Sequence, residues 1–352
     1  MTPPSRASTL QTIGEFGLIR ELQKHCHELH GDLIQGIGDD TAILPSPNKD
    51  FLLASTDLAI EGIHFDLGLA SYKDVGYRTA VANISDIVAM GGSPKFLLAA
   101  VAVPPSCPVK NMRALYQGMK EPCRTYNISL VGGDTSSSRS GLFLCLTILG
   151  HVKPNRAITR QGAKQGDLVY VTGTLGDSHA GLQILQHHMK SRKRSGRRLY
   201  ETFLKNRHLR PTPRVALGQH LSQNRLANAA IDLSDGLSGD IHHLCQASQV
   251  GVELWASRLP LSQPCQAFAA ERHLDPIDLA LAGGEDYELL FTVKPSKRDH
   301  LLNVSKSFKT KVTCIGEIKP KSYGLRLKLE GQRSRNISRQ SYNHFSHTRT
   351  TI

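Results

Sequence analysis

Apolar and polar positions alternate along this chain of 352 residues in short runs, and many runs end in an acidic turn rich in Gly or Ser. Ile13, Phe16, Leu18, Ile19 and Leu22 recur at helical spacing, so the pattern predicts an opening amphipathic helix over 13–30. Residues 36–44 and 51–56 read as short strands broken by a turn at Pro45, Ser46 and Pro47. Over 73–90, Val75, Tyr77, Ala80, Val81, Ile84, Ile87 and Val88 line one helical face, and Gly91, Gly92 and Pro94 end the helix. A strand over 96–103, a helix over 110–126, a short buried strand over 128–131 and a strand over 142–148 complete an alternating α/β half.

A polar, turn-rich stretch near 150–160 marks a domain boundary. Beyond it the pattern predicts a strand over 167–172, a helix over 180–188 and an apolar run over 229–231 entering Asp232. A helix over 239–248 and a strand over 288–293 follow. The expected organisation is an N-terminal domain over 1–150 and a C-terminal domain over 151–345, with a basic insert near 190–198. The fold class expected is α/β (α+β).

Composition narrows the function classes. No apolar run reaches the roughly 18–20 residues of a membrane span. The N-terminal residues lack the basic-then-apolar order of a secretory signal, so a cytoplasmic location is expected. Seven scattered cysteines include no C-x-x-C, which argues against a zinc ribbon, a redox pair or a disulfide framework. The formal charge of +13 invites a nucleic-acid reading, but +9 of it falls in residues 190–214 and +7 in residues 319–352. The body that carries the acidic turns is slightly acidic, and the basic stretch reads as a solvated loop. A nucleic-acid partner is therefore not expected, although the basic stretch leaves an RNA contact open.

The chemistry lies in six acidic turns. They are Gly38-Asp39-Asp40-Thr41, Ser55-Thr56-Asp57, Asn83-Ile84-Ser85-Asp86, Gly132-Gly133-Asp134-Thr135, Asp232-Leu233-Ser234-Asp235-Gly236 and Gly283-Gly284-Glu285-Asp286. Each aspartate alone reads equally as a helix cap or an Asx-turn, and for Asp39 that reading is preferred. Together, carboxylates at successive strand ends repel unless cations lie between them, and hard oxygen donors of this kind suit Mg²⁺ with substrate phosphates. The sequence has no G-x-x-x-x-G-K-[ST] and no H-R-D with D-F-G, which removes Walker-type ATPases and protein kinases. His27-Glu28-Leu29-His30 lacks the spacing of a zinc-binding H-E-x-x-H.

These motifs, with Glu61-Gly62-Ile63-His64-Phe65 and Gly283–Leu289, resemble the thiamine-monophosphate kinase family of the aminoimidazole ribonucleotide synthetase-like superfamily, over nearly the whole chain. The resemblance implies a two-domain fold, a homodimer packed through the N-terminal sheets, and ATP-dependent phosphorylation of thiamine monophosphate to thiamine diphosphate. It implies Mg²⁺ ligands at Asp40, Ser55, Thr56, Asp57, Asp86, Asp134, Asp232 and Asp235, with Asp57, Asp86 and Asp134 central to catalysis. It places ATP against Tyr116, Gly133, Asp134, Arg160 and Ser234, and the thiamine phosphate against His64, Glu285, Asp286 and Tyr342. The rival readings are a superfamily relative acting on another small acceptor, and a nucleic-acid-binding protein that would leave the acidic turns unexplained.

Overall fold

The structure is a computed structural model that describes residues 9–25, 32–47, 49–190, 199–308 and 310–338. The first half runs α1 (Leu10–His25), β1 (Ala42–Leu44), β2 (Phe51–Ile60), α2 (Tyr72–Ala89), β3 (Ser93–Val103), α3 (Val109–Thr125), β4 (Ser129–Ser137) and β5 (Phe143–Val152). Its strands form one sheet in the order β1-β2-β5-β3-β4, antiparallel except between β3 and β4.

The second half runs β6 (Leu168–Thr172), α4 (Asp177–Lys190), α5 (Leu199–Leu209), α6 (Val215–Gln223), β7 (Ala227–Asp232), α7 (Leu237–Ser248) and β8 (Gly251–Trp255). It continues with α8 (Gln263–Arg272), α9 (Pro276–Ala282), β9 (Leu289–Val293), α10 (Arg298–Ser305), β10 (Val312–Lys319), β11 (Leu325–Lys328) and β12 (Ser334–Asn336). These strands form a seven-stranded sheet in the order β12-β11-β8-β10-β6-β9-β7.

Helix α2 is the hinge pin of the architecture. Ser71 caps it: its Oγ accepts from the Asp74 amide at 3.2 Å and donates to the Asp74 carboxylate at 2.7 Å. Gly91, at φ +71°, ends it, and the Gly91 and Gly92 amides close on the Val88 and Ile87 carbonyls. Twelve of its eighteen residues are buried, more than one apolar stripe would cover. The reason is that α2 is covered on both sides. One side meets β2 and β5, and the other meets α5, α6 and β7 of the second half. Against α3 the backbones touch: a Cβ on Gly76 would lie 2.1 Å from the Leu115 carbonyl oxygen, and one on Gly118 1.9 Å from that of Lys73.

The two faces of the second sheet separate by the period-two rule of strands. Tyr170, Leu289 and Phe291 join a core that is continuous with α2 and the first sheet. Val169, Val171 and Leu290 face the other way and pack with Ile241 and Leu244 of α7 and Leu281 of α9. One hydrophobic core therefore runs across the junction of the halves.

Several expectations change. The short buried strand expected at 128–131 is the longer β4, and nearly all of it is exposed because it is the outer strand with β3 as its single neighbour. The strand expected over 36–44 shrinks to β1, since before it only Gln35, Ile37 and Asp39 form isolated bridges, with Gly38 in a turn and Asp40 in a bend. Most of the small helices of the second half carry no strong pattern in the sequence and were not expected. The basic stretch over 191–198 and Tyr342 lie outside the described residues. Among the described residues no helix is long and apolar enough to cross a membrane.

Candidate active site

Strand β2 presents alternate side chains to its two faces. Leu53 and Ala59 are buried, so Ser55 and Asp57 share their face, towards α2. Ser55 Oγ donates to Asp86 Oδ2 at 2.6 Å. Thr56 points the opposite way, where its hydroxyl meets Cys145 Sγ at 3.4 Å and Thr147 Oγ1 at 3.1 Å. The Thr56 side chain is thus not among the converging acids, a correction that follows from strand alternation alone.

Three elements bring carboxylates to one point. Asp40 comes from the turn before β1, Asp86 from the last turn of α2, and Asp232 from the end of β7. One oxygen from each lies within 4.8 Å of the others. Asp40 Oδ2 and Asp232 Oδ2 are buried and have no hydrogen-bond partner. Burial, and then Asp40, pushes Asp57 up to about 6. Burial, and then Asp40, pushes Asp232 up to about 8. Asp86 is pushed well above the carboxylate range by burial and then by Asp57, Asp232 and Asp40. The carbonyl end of α2, with no basic residue in its last turn, adds to the negative potential. Orphaned buried oxygens and mutual repulsion are what a divalent cation would relieve, and three carboxylates suit Mg²⁺.

Arg160 closes one side of this cluster from the connection between the halves. Its Nη2 and Nε donate to Asp40 Oδ1 at 2.5 and 3.2 Å. Its backbone amide donates to Asp39 Oδ2 at 3.1 Å, and the Asp40 amide to Asp39 Oδ1 at 3.0 Å. Asp39 thus shapes the turn. Burial would weaken the Arg160 guanidinium's hold on its proton, but Asp40 more than offsets this and keeps it charged.

A second wall is made by two turns that extend the β7–β9 ladder. The Glu285 amide donates to the Ser234 carbonyl at 2.8 Å and the Tyr287 amide to that of Leu233 at 3.0 Å. Glu285 and Tyr287 both have left-handed backbone, at φ 68° and 49°, a costly conformation for side-chain-bearing residues. Glu285 keeps 30% of its side chain exposed. Asp286 is 2% exposed and turned away, its oxygens accepting from the Gly176 and Ser178 amides at 2.6 and 3.0 Å. The expected pair of substrate contacts therefore divides: both Asp286 oxygens are engaged by backbone amides, so it anchors the turn instead of facing the cleft. Ser234 and Asp235, half-buried, sit on the facing turn, and the Asp235 amide donates to the buried Asp240 at 3.3 Å. His64 Nδ1 accepts from the Ile60 amide at 3.0 Å in the turn after β2.

The structure does not bring every expected residue to this point. Asp134 and Gly133 lie on the exposed outer strand β4. Pairing register puts Asp57 opposite Leu146, Leu146 opposite Ala99, and Ala99 opposite Gly133. Three strand spacings, roughly 14 Å, separate them within one chain. Within one chain, Asp134 therefore stands apart from the site of Asp57 and Asp86. Gly133 is obligatory here, because a Cβ would lie 1.9 Å from the Ala99 carbonyl oxygen. Tyr116, on α3, packs half-buried against the core of the first half.

Sequence reasoning missed Arg78, His208 and the residues around Glu288. Glu288 is fully buried and accepts from Thr172 Oγ1 at 2.5 Å, Arg207 Nη2 at 2.9 Å and Arg214 Nε at 2.5 Å. The available signal was an arginine at helical spacing with Val75 and Val81 on the buried side of α2.

Comparison with known proteins places this geometry. The family described as AIR synthase related protein, N-terminal domain, matches residues 38–152, and its C-terminal domain counterpart matches residues 164–328. The thiamine-monophosphate kinase of Buchnera aphidicola subsp. Acyrthosiphon pisum is 37% identical over 332 residues, covering 94% of this chain and 98% of that protein. That of Escherichia coli K12 is 38% identical over 336 residues, covering 95% and 98%. A solved structure described as AaThiL complexed with AMPPCP and TMP superposes with a TM-score of 0.83 at 34% identity, covering 97% of this chain and all of that one. On these likenesses and on its two AIR synthase-type halves, the chain belongs to the thiamine-monophosphate kinase family.

Proposed function

We propose that the protein transfers the γ-phosphoryl group of ATP to the phosphate of thiamine monophosphate, yielding thiamine diphosphate and ADP in the cytoplasm, as the last step in making thiamine diphosphate. The observation that carries this reading is the junction of Asp40, Asp86 and Asp232, with buried oxygens left unpartnered, at the meeting of the two halves. The relatives' names and the nucleotide analogue and TMP of the solved relative give the substrates.

Asp40, Asp86 and Asp232, with Ser55, Asp57 and Asp235 beside them, would hold Mg²⁺. Bound there, Mg²⁺ would neutralise phosphate charge and allow two anions to approach. Ser55 orients the Asp86 carboxylate through its hydroxyl. Arg160 remains charged beside Asp40 and would meet an ATP phosphate. Ser234 would meet ATP on the same wall, while His64, Glu285 and Tyr342 would contact the thiamine phosphate. The acceptor oxygen attacks the γ-phosphorus in line as its bond to ADP breaks. No protein base is needed, because a phosphate monoester is already ionised at neutral pH.

The same reading includes a homodimer. Leu58, Phe96 and Val131 are exposed on the first sheet, and sheets that pack face to face lie ~10 Å apart. On this reading Tyr116, Gly133 and Asp134 of one copy would serve the acids of the other. The test is product identity with ATP, Mg²⁺ and thiamine monophosphate, with free thiamine as control. Thiamine diphosphate formed from the monophosphate alone is the expected result. A folded, Mg²⁺-supplied protein that forms none refutes the proposal. Asp86→Asn is expected to reduce kcat at least 100-fold in a folded protein.

A further inference from the structure

Arg78 and His208 belong to neither the acidic cluster nor the sequence motifs, yet both are buried against the wall that carries Glu285. Arg78 projects from α2 of the first half, and His208 from α5 of the second. Arg78 Nη1 lies 3.1 Å from His208 Nε2, and Arg78 Nη2 pairs with Glu285 Oε1. A guanidinium has donors and no acceptor, so His208 Nε2 must be the nitrogen without a proton. Its Nδ1 then carries the hydrogen. That nitrogen lies 3.1 Å from Ser178 Oγ and 3.6 Å from Glu285 Oε2. Burial first, and then Arg78 and His179, hold His208 neutral, in keeping with this assignment.

The arrangement grips the Glu285 carboxylate on one side and leaves the other side open. Arg78 meets one oxygen, and His208 Nδ1, hydrogen-bonded to Ser178 Oγ at 3.1 Å, lies 3.6 Å from the second, while 30% of the side chain stays exposed. The backbone beneath is in its left-handed conformation and pinned to Ser234. A simple joint between domains would not require a buried histidine, fixed by Ser178, to hold the arginine that meets a half-open carboxylate. Helix α5 also sends Arg207 to Glu288, so its end reaches both the core of the second sheet and the Glu285 turn.

We infer that Arg78 and His208 are positioning residues that aim the Glu285 carboxylate at the acceptor substrate, across the junction of the two halves. The inference rests on the proposed contact between Glu285 and thiamine monophosphate. A carboxylate held in one orientation suits the positive charge and amino group of the thiamine rings.

The test is steady-state kinetics on the full chain with each substrate varied in turn, alongside a thermal melt. Arg78→Gln is expected to raise KM for thiamine monophosphate about tenfold while KM for ATP stays within about twofold. Arg78→Lys, which can reach Glu285 but cannot fork to His208, is expected to show a rise of about threefold. His208→Gln can accept from Arg78 and donate onward, and is expected to stay near wild type, whereas His208→Phe is expected to match Arg78→Gln. In combination with Glu285→Gln, the Arg78→Gln effect is expected to vanish. Unchanged acceptor KM in folded Arg78→Gln, equal rises in both KM values, or additivity with Glu285→Gln would overturn the inference. If Arg78→Gln does not fold, Arg78→Lys and the His208 pair decide by the same criterion. Wild-type turnover is the separate control: failure there removes the functional reading and this inference together, and failure among the variants removes the inference alone.

Discussion

Replacing Asp232 with Asn tests whether the acids at the junction repel one another in the unliganded protein. Asp232 is 3% exposed, and its carboxyl is pushed up to about 8. In an unfolded chain an aspartate ionises near about 3.9. The folded state therefore holds this proton more tightly. Its contribution to stability is fully present below the unfolded value and is lost as pH rises through the folded one. The gap sets a ceiling of ~6 kcal/mol. Charge is shared with Asp40, Asp57 and Asp86, which brings the effect of one substitution down to ~2 kcal/mol. Asn keeps the shape and puts an N–H group near the position of an oxygen that has no partner. In a chain of this size ~2 kcal/mol raises Tm by roughly 3 °C. The assay is calorimetry in chelator at pH 8 and pH 5. The variant is expected to melt above wild type at pH 8, with the gap narrowing at pH 5, and to lose most of the stabilisation that Mg²⁺ gives wild type. Turnover falls in the same variant. A Tm at or below wild type at pH 8 in chelator would refute the reasoning.

Mg²⁺ binding is expected to release protons near pH 7, because the Asp232 carboxyl, pushed up to about 8, must deprotonate; titration calorimetry in buffers of different ionisation enthalpy should show this, and identical heats would contradict it. Glu288→Gln leaves Arg207 and Arg214 without their buried anion and is expected to cost 3–5 kcal/mol, roughly, in denaturant unfolding; a loss below about 1 kcal/mol would mean that solvent replaces the carboxylate. Gly118→Ala forces α3 off α2, where 1.9 Å separates the new Cβ from the Lys73 oxygen, and is expected to destabilise by at least ~2 kcal/mol. Mixing Asp86→Asn with Asp134→Asn chains is expected to restore roughly a quarter of wild-type activity if each site draws on two copies; no recovery after verified exchange would assign both residues to one chain's site.

Much of the first half was legible because its elements are long and periodic. The helix of 73–90 and the strands around 51–56 and 96–103 fall close to α2, β2 and β3, since their apolar spacing matches one buried face. At 128–131 Ile128 is core as its apolar side chain suggests and Leu130 packs partly buried against it, but Val131 and the strand beyond are exposed, because β4 is an outer strand whose exposure depends on sheet order. The acids were visible as motifs, but which of them meet was not. Asp40, Asp86 and Asp232 are joined by topology, and Asp134 is separated from Asp57 by two intervening strands. That the Thr56 side chain faces away from Asp57 follows from strand alternation and could have been read from sequence. Arg78 and His208 were hard to read because the partners that give them meaning, each other and the Glu285 turn, are brought together only by the tertiary fold.

Strand β4 has a consequence for the newly made chain. Its outer side offers unpaired backbone N–H and C=O groups along nine residues, a template on which a stray strand from another nascent chain could grow. Its second part, Gly132-Gly133-Asp134-Thr135-Ser136-Ser137, is a poor recruit for that growth. Two glycines resist the extended conformation entropically, small hydroxyl side chains bury little, and a negative charge faces any identical copy placed alongside in register. The residues expected at the nucleotide thus also serve as a guard against cross-β growth. Exchanging them for stronger strand formers would trade soluble chains for inclusion bodies long before any assay of turnover could be run.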